Sequence, residues 1–394
     1  MLNLNKPELV NKIQLKFFEE FDNKPQLITL TPGRINIIGE HTDYNNGLAM
    51  PIAIDKVICN AITKSNHHQS IIYSMNYNDK IYIENKNYIC NEDEVWKKIA
   101  NKVVYCINDD FKINSRFNLV IGGNIPIGCG LSSSSAFIIS LIDSILKLYS
   151  IKLNKTELAI YCQKIENKIL GTAGGLLDQF GIILSKDKYF MLIDFKKNTV
   201  EYFSNKNHNT WIIINSKISR ELSDSKYLKR IKECNQALNI INKKFNNSIF
   251  SLREINEKML NSLKNEYPQL YKRVSHVYNE NKRVINLREA IKKNEHITIG
   301  TILKESHKSL NELYEVSCKE IDYIIEIAEN VQGWYGGRIM GGGFGGCSLH
   351  LVNSKSVKKF EHFITNCYSN KYDIIPQIFQ TSFSNGIEDY KIIP

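Results

Sequence analysis

Long apolar runs are missing from this 394-residue chain: no stretch approaches the roughly 20 residues a helix needs to cross a bilayer, so no membrane association is expected. Cys-x-x-Cys pairs are missing as well. The nine cysteines are scattered and odd in number, which argues against a disulfide frame or a zinc site and for reduced thiols in the cytoplasm. The first residues lack a basic start followed by an apolar core, so no export signal is expected. Gly-Lys-Ser/Thr occurs nowhere, which excludes a Walker A loop. There is no His-Arg-Asp, and Asp194-Phe195 is followed by Lys196 instead of Gly, so the protein-kinase landmarks are absent. Internal repeats are absent too. The formal net charge is +10, but its Lys-Lys pairs (Lys97-Lys98, Lys196-Lys197, Lys292-Lys293) are dispersed and not interleaved with aromatics. Dispersed charge reads as a solvated surface, and no nucleic-acid partner is expected.

What is present is a globular profile, 43% hydrophobic and 23% charged, long enough for two ordinary domains or one large one. The stretch Gly122 to Phe137, GGNIPIGCGLSSSSAF, follows an apolar run and precedes a helical pattern. That order reads strand, loop, helix. Gly128 and Gly130 let backbone N–H groups turn inward, and the serines fall where the helix begins, at its positive end. Free N–H groups there make an anion site, and serine oxygens can serve a hard cation. An ordinary serine-capped helix explains the same residues, and both readings stand at this point.

Further groups stand out along the chain. Residues 7–22 alternate as an amphipathic helix. Leu27 to Leu30 reads as a short strand, Ile35 to Ile38 as another, and just beyond it Glu40, His41 and Asp43 crowd together. Such a cluster beside a buried strand end suits a polyhydroxylated ligand; a metal site or a charged surface loop are the alternatives. Strands are expected at 48–55, 57–64, 71–75, 80–84, 189–194 and 210–215, and helices at 93–106, at 133–149 and from Thr156 on. Glu166 lies near the end of that last helix, where a carboxylate opposes the dipole. In Gly171 to Phe180, Asp178 is a lone acid in an apolar stretch, either a capped structural group or a working base. The polar segment Lys196 to Asn209 is the expected domain boundary. Helices follow through about Asn242 and across 252–330, with a helix from Ser354 to about Cys367 and a strand near 378–383. Residues 341–346 match Gly-x-Gly-x-x-Gly, but with a helix expected before and a strand after, the order is wrong for a dinucleotide fold. A glycine turn passing close to a ligand cleft fits better.

Three stretches together carry a resemblance. GRINIIGEHTDYNNG resembles the galactokinase signature, GGNIPIGCGLSSSSAF the phosphate loop of the GHMP kinase superfamily, and RIMGGGFGGCSLHLV, from Arg338, its third motif. GLLDQF and KESHKSLNELYEVSCKEID are also similar to galactokinase segments, and all five occur in the family's order. The resemblance implies an α+β, two-lobed GHMP kinase fold. Its N-terminal lobe, residues 1–205, is like ribosomal protein S5 domain 2, and its C-terminal lobe, residues 206–394, is ferredoxin-like. It implies transfer of phosphate from ATP, with Mg²⁺, to the anomeric hydroxyl of α-D-galactose, the first step of the Leloir pathway, by a monomer. Glu40, His41, Asp43, Gly175, Asp178 and Tyr227 would contact the sugar, and Asp178 and Arg34 would be catalytic. Gly128, Cys129, Gly130, Leu131, Ser132, Ser133 and Ser134 would hold the ATP phosphates, with Ser134 and Glu166 on the metal. The doubled glycine Gly174-Gly175 and the pair Ser219-Arg220 depart from many relatives, while Thr42 is similar to the galactose enzymes. A 1-kinase for N-acetylgalactosamine or L-arabinose, and a silent galactose sensor, are the alternatives.

Overall fold

The computed structural model describes residues 2, 4–84, 94–126, 128–171, 174–204, 209–218, 223–246 and 248–390, with side chains 223–225 excluded. The expected helix start at Asp93 and the pair Ser219-Arg220 lie outside them. In chain order the elements begin with α1 (Lys6–Phe21), β1 (Leu27–Asn36), β2 (Leu48–Ala49), β3 (Pro51–Lys64), β4 (Ser70–Ser74) and β5 (Asp79–Ile83). Next come α2 (Val95–Phe111), β6 (Phe117–Gly123), α3 (Ser133–Leu148), α4 (Lys155–Leu170), α5 (Leu177–Leu184), β7 (Tyr189–Asp194), β8 (Thr199–Ser204) and β9 (Thr210–Asn215). The remainder is α6 (Ser223–Phe245), α7 (Glu257–Asn261), α8 (Pro268–Lys292), α9 (His296–Glu312), α10 (Lys319–Ala328), β10 (Trp334–Ile339), β11 (Cys347–Val352), α11 (Val357–Tyr372), β12 (Gln377–Thr381) and β13 (Glu388–Tyr390).

A six-stranded mixed sheet, β13-β1-β3-β6-β4-β5, forms the first layer, with β4 and β6 its parallel pair. Alternation along β1 sorts its two faces. Ile28 and Leu30 join Leu9, Val10, Ile13 and Phe17 of α1 in one small core. Thr29 faces the other way and its hydroxyl meets Ser144 of α3 at 2.8 Å, while Asn60 donates to the Ser140 carbonyl at 2.8 Å. These contacts pair the Thr29 hydroxyl and the Asn60 amide nitrogen, as burial favours, while Thr31 Oγ1 and Asn60 Oδ1 are buried without a partner.

A four-stranded antiparallel sheet, β10-β11-β9-β12, forms the second layer. Strand β9 is apolar on both faces: Trp211 and Ile213 enter the core of the first half, and Ile212 and Ile214 the helical core of the second. The sheet is thus a shared wall. A third sheet, β2-β7-β8, lies beside it.

Five expectations need correction. The strand expected in two pieces is one, Leu27–Asn36, with a register shift between Pro32 and Arg34. The segment read as a polar boundary contains β8, an edge strand whose only buried residue is Phe203, too little burial to leave an apolar pattern. The stretch before Gly341 is a strand, not a helix. Trp334–Ile339 and Cys347–Val352 pair antiparallel, so the glycines make a hairpin turn, which still differs from a dinucleotide loop. The strands expected at 48–55 and 57–64 are a two-residue strand, Leu48–Ala49, and one continuous strand, Pro51–Lys64. The run from Leu177 to Leu184, for which no element was expected, is a helix, which puts Asp178 in a first turn.

Candidate functional site

Two strand ends and three helix termini meet at a cavity of about 330 Å³. Strand β1 supplies Arg34 and leads into Glu40, His41 and Asp43; the loop before α3 supplies Gly128, Gly130 and Ser132, and the first turn of α3 supplies Ser133 and Ser134; α4 supplies Glu166; α5 supplies Asp178. Gly175, Tyr227, Gly341 and Gly342 complete the expected part of the lining. Cys129 and Leu131 are the expected residues that do not line it. Their side chains turn into the core, where the Cys129 sulfur accepts a hydrogen bond from Asn215 at 2.9 Å.

Local sequence explains the placements. Asn154 and Glu157 form a reciprocal capping box that fixes the start of α4, and Gly171, left-handed at φ +64°, ends it. Residues 163, 166 and 167 share one face of that helix, which explains why Gln163 and Asn167 also line the cavity. Both donate to the Gly174 carbonyl and so hold the glycine loop. Ser132 adopts the left-handed region, φ 56°, and does not cap α3. Its hydroxyl instead donates to Asp178 Oδ2 at 2.7 Å. The first N–H groups of α3 therefore open toward the cavity without a serine cap, an arrangement suited to an anion.

Arg34 is the hub. Its Nε donates to Asp178 Oδ1 at 2.7 Å, its Nη2 donates to the same oxygen, and its Nη1 donates to the Gly130 carbonyl at 2.6 Å. The Arg34 side chain is 7% exposed and that of Asp178 30%, so the pair is shielded while the carboxylate still faces the cavity. Glu166 accepts from Ser135 at 2.7 Å and from Gln179 Nε2. Burial and the nearby charge of Asp178 push its carboxyl up to about 7.

The cluster of Glu40, His41 and Asp43 is equally constrained. Glu40 Oε1 accepts from Arg338 at 3.0 Å and from the Gly341 amide at 2.8 Å. His41 Nδ1 meets the Tyr44 hydroxyl at 3.0 Å, and Tyr44 meets Tyr314 at 2.7 Å. Burial, with His276 and Arg230 nearby, holds His41 well below its ordinary value, so its imidazole is neutral. Its Nε2 is buried without a hydrogen-bond partner. Burial and Asp178 push Asp43 up to about 7. Burial drives the Tyr227 hydroxyl well above its usual range.

No group of three or more His, Cys, Asp or Glu among the described residues is arranged to hold a metal ion. This argues against the metal alternative at Glu40, His41 and Asp43. It leaves room for a hard cation shared between one carboxylate and substrate phosphates, for which Glu166 and the serine oxygens are suitable donors.

A second cavity of about 210 Å³ adjoins the loop and was not legible beforehand. It shares Ser133 and Ser134 with the first and is lined by Tyr77, Trp96, Ile99, Ile125 and Phe137. The Tyr77 and Trp96 rings stack at 5.6 Å and 9°. Its wall comes from four separated stretches, at 58, 74–77, 95–99 and 121–137, and no local pattern links them.

Family models match along the chain: the galactokinase galactose-binding signature at residues 15–64, the GHMP kinases N terminal domain at 96–186 and the GHMP kinases C terminal at 287–370. The chain is 32% identical over 388 residues to a galactokinase of Staphylococcus saprophyticus, covering 96% of this chain and all of that protein. It is 33% identical over 387 residues to one of Clostridium perfringens, covering 96% and 98%. The structure of Lactococcus lactis galactokinase complexed with galactose superposes with a TM-score of 0.90 at 27% identity, over 96% of this chain and 99% of that one. Methanococcus jannaschii mevalonate kinase shares the fold, with a TM-score of 0.65 at 21% identity over 91% and 98%. With the three motifs in order around one cavity, and relatives matched from end to end, the chain belongs to the galactokinase family and has the GHMP kinase fold.

Proposed function

We propose that the protein transfers the γ-phosphoryl group of ATP to the anomeric hydroxyl of α-D-galactose, giving α-D-galactose 1-phosphate and ADP. The observation that carries this reading is the Arg34–Asp178 pair at the junction of the Glu40, His41, Asp43 cluster and the amide-lined start of α3. Phosphoryl transfer requires a positioned nucleophile and neutralised charge more than covalent chemistry. Asp178 accepts the hydrogen of the sugar hydroxyl as that oxygen bonds to the γ-phosphorus, and the bond to the bridging oxygen breaks with its electrons leaving on ADP. Arg34 keeps Asp178 oriented and adds positive charge beside the phosphates. Glu40, His41, Asp43, Gly175 and Tyr227 hold the sugar; the unpaired His41 Nε2 is a ready partner for a hydroxyl.

Gly128, Gly130 and Ser132 to Ser134 receive the phosphates, with Cys129 and Leu131 anchoring the loop in the core, and the Tyr77–Trp96 cavity receives the base. Ser134 and Glu166 would hold Mg²⁺, which would supply charge neutralisation on the transferring phosphate. In this reading residues 1–205 form the catalytic lobe and residues 206–394 the covering lobe, which brings Tyr227, Gly341 and Gly342 to the cavity wall. The eight cysteines described form no disulfide among themselves. No helix among the described residues is long and apolar enough to cross a membrane.

Phosphorus NMR of a reaction with ATP, Mg²⁺ and galactose tests the proposal, with N-acetylgalactosamine and L-arabinose as competing substrates. An α-anomeric phosphate of galactose is expected. Asp178→Asn should bind galactose normally by calorimetry and lose about 10²–10⁴-fold in kcat, the range for a positioned base. Absence of the sugar phosphate with wild-type protein would refute the activity, and near-normal turnover of the variant would remove Asp178 from it.

A further inference from the structure

Ser135, the last of the four consecutive serines, has no part in the assignments above, yet it is the residue that joins the two acids. It sits in the first turn of α3 at 2% exposure. Its Oγ lies 2.7 Å from Glu166 Oε1 and 3.2 Å from Asp178 Oδ2. A hydroxyl has one hydrogen, so Ser135 can donate to one acid at a time. The distances favour Glu166. Asp178 Oδ2 keeps Ser132 as its closer donor at 2.7 Å. Gln179 takes the other Glu166 oxygen, so both ends of that carboxylate are held from the protein side.

We propose that Ser135 is a positioning residue that fixes the Glu166 carboxylate in register with Asp178, so that the cation site and the phosphoryl-acceptor site keep a set separation. The proposal rests on the assignment of Glu166 to the divalent cation. Neighbouring Ser133 and Ser134 line the cavity mouth, but Ser134 is exposed and makes no side-chain contact with either acid among the hydrogen bonds described. The residue that reaches inward to both acids is Ser135. Alanine at this position keeps the helix and removes one oxygen, so the variant is expected to fold.

The test is a double-mutant cycle on cation binding, read by electron paramagnetic resonance of Mn²⁺ with a non-hydrolysable ATP analogue. Ser135→Ala should weaken Mn²⁺ about 10-fold, at the low end for loss of a ligand's hydrogen-bond partner. Glu166→Gln should weaken it further, and adding Ser135→Ala to Glu166→Gln should change affinity less than about 2-fold, because the serine acts through that carboxylate. Steady-state kinetics of Ser135→Ala should show a lower kcat with the galactose KM little changed. Wild-type Mn²⁺ affinity in Ser135→Ala, or equal losses in both backgrounds, overturns the proposal. Unchanged affinity in Glu166→Gln instead overturns the cation assignment beneath it, so the two failures are distinct.

Discussion

At the scale of single residues, the site concentrates negative charge where water is scarce. Asp43, Asp178, Glu40 and Glu166 share one cavity, and Arg34 is the cation that lines it with them. The raised carboxyl of Asp43 is the consequence, with burial the first cause and Asp178 the next. An acid whose folded value lies above its unfolded one, here about 7 against 3.8, binds its proton more tightly in the folded state. Its contribution is therefore favourable at low pH and is lost as pH rises from the unfolded value toward the folded one. Asp43→Asn should accordingly melt higher than wild type in the ligand-free state at pH 8. The advantage should shrink steadily toward pH 4, as followed by thermal denaturation across that range. A difference independent of pH would exclude this account of Asp43. The acids themselves were legible in the chain, because ionisable residues crowded at a strand end are rarely structural. Their partners were not. Ser132 pairing with Asp178, and Ser135 with both acids, depend on a left-handed turn and on the approach of α4 and α5, which no spacing along the chain encodes.

At the scale of elements, close approach decides several features. A β-carbon on Gly175 would overlap the Asp43 carboxylate, so the loop entering α5 can pass Asp43 only as glycine. Gly175→Ala should displace Asp43 and weaken galactose binding about 10-fold, with a stability loss of about 1–3 kcal/mol from overpacking. Galactose titration by calorimetry and urea unfolding check both parts. The same cause hid one strand. In Trp334–Ile339 the glycines Gly336 and Gly337 leave no apolar alternation to read, and Gly336 is small because its strand lies against Gly300 of α9. By contrast α3, β7 and β9 were readable to within a residue or two, since their apolar positions repeat at the helical or strand period. The edge strand β8 and the short helix α5 bury too few residues, or too many on all sides, to show a period.

At the scale of the whole molecule, one buried side chain ties the halves together. Arg338 of β10 is fully buried and donates to the carbonyls of Asn36 and Ile37 at the end of β1, to that of Ile339, and to Glu40. Arg338→Met leaves these acceptors and a carboxylate without their cation, so it should destabilise the protein by about 3–5 kcal/mol, measured by urea unfolding. It should also weaken galactose binding through Glu40; full stability with full affinity would show that the tie is dispensable. The chain's last described strand, β13, returns to pair with β1, and so the far end of the sequence closes the first sheet. The sequence alone determined which chemistry was available: the glycines and serines that free helix amides, the acids beside a strand end, and the apolar periods that bury the elements carrying them. Only the tertiary structure decided which acid Arg34 neutralises, which serine spans Glu166 and Asp178, and where the apolar cavity lies. Those outcomes are set by contacts between segments tens to hundreds of residues apart, whose geometry comes from packing the sheets and helices against one another rather than from any local preference of the chain.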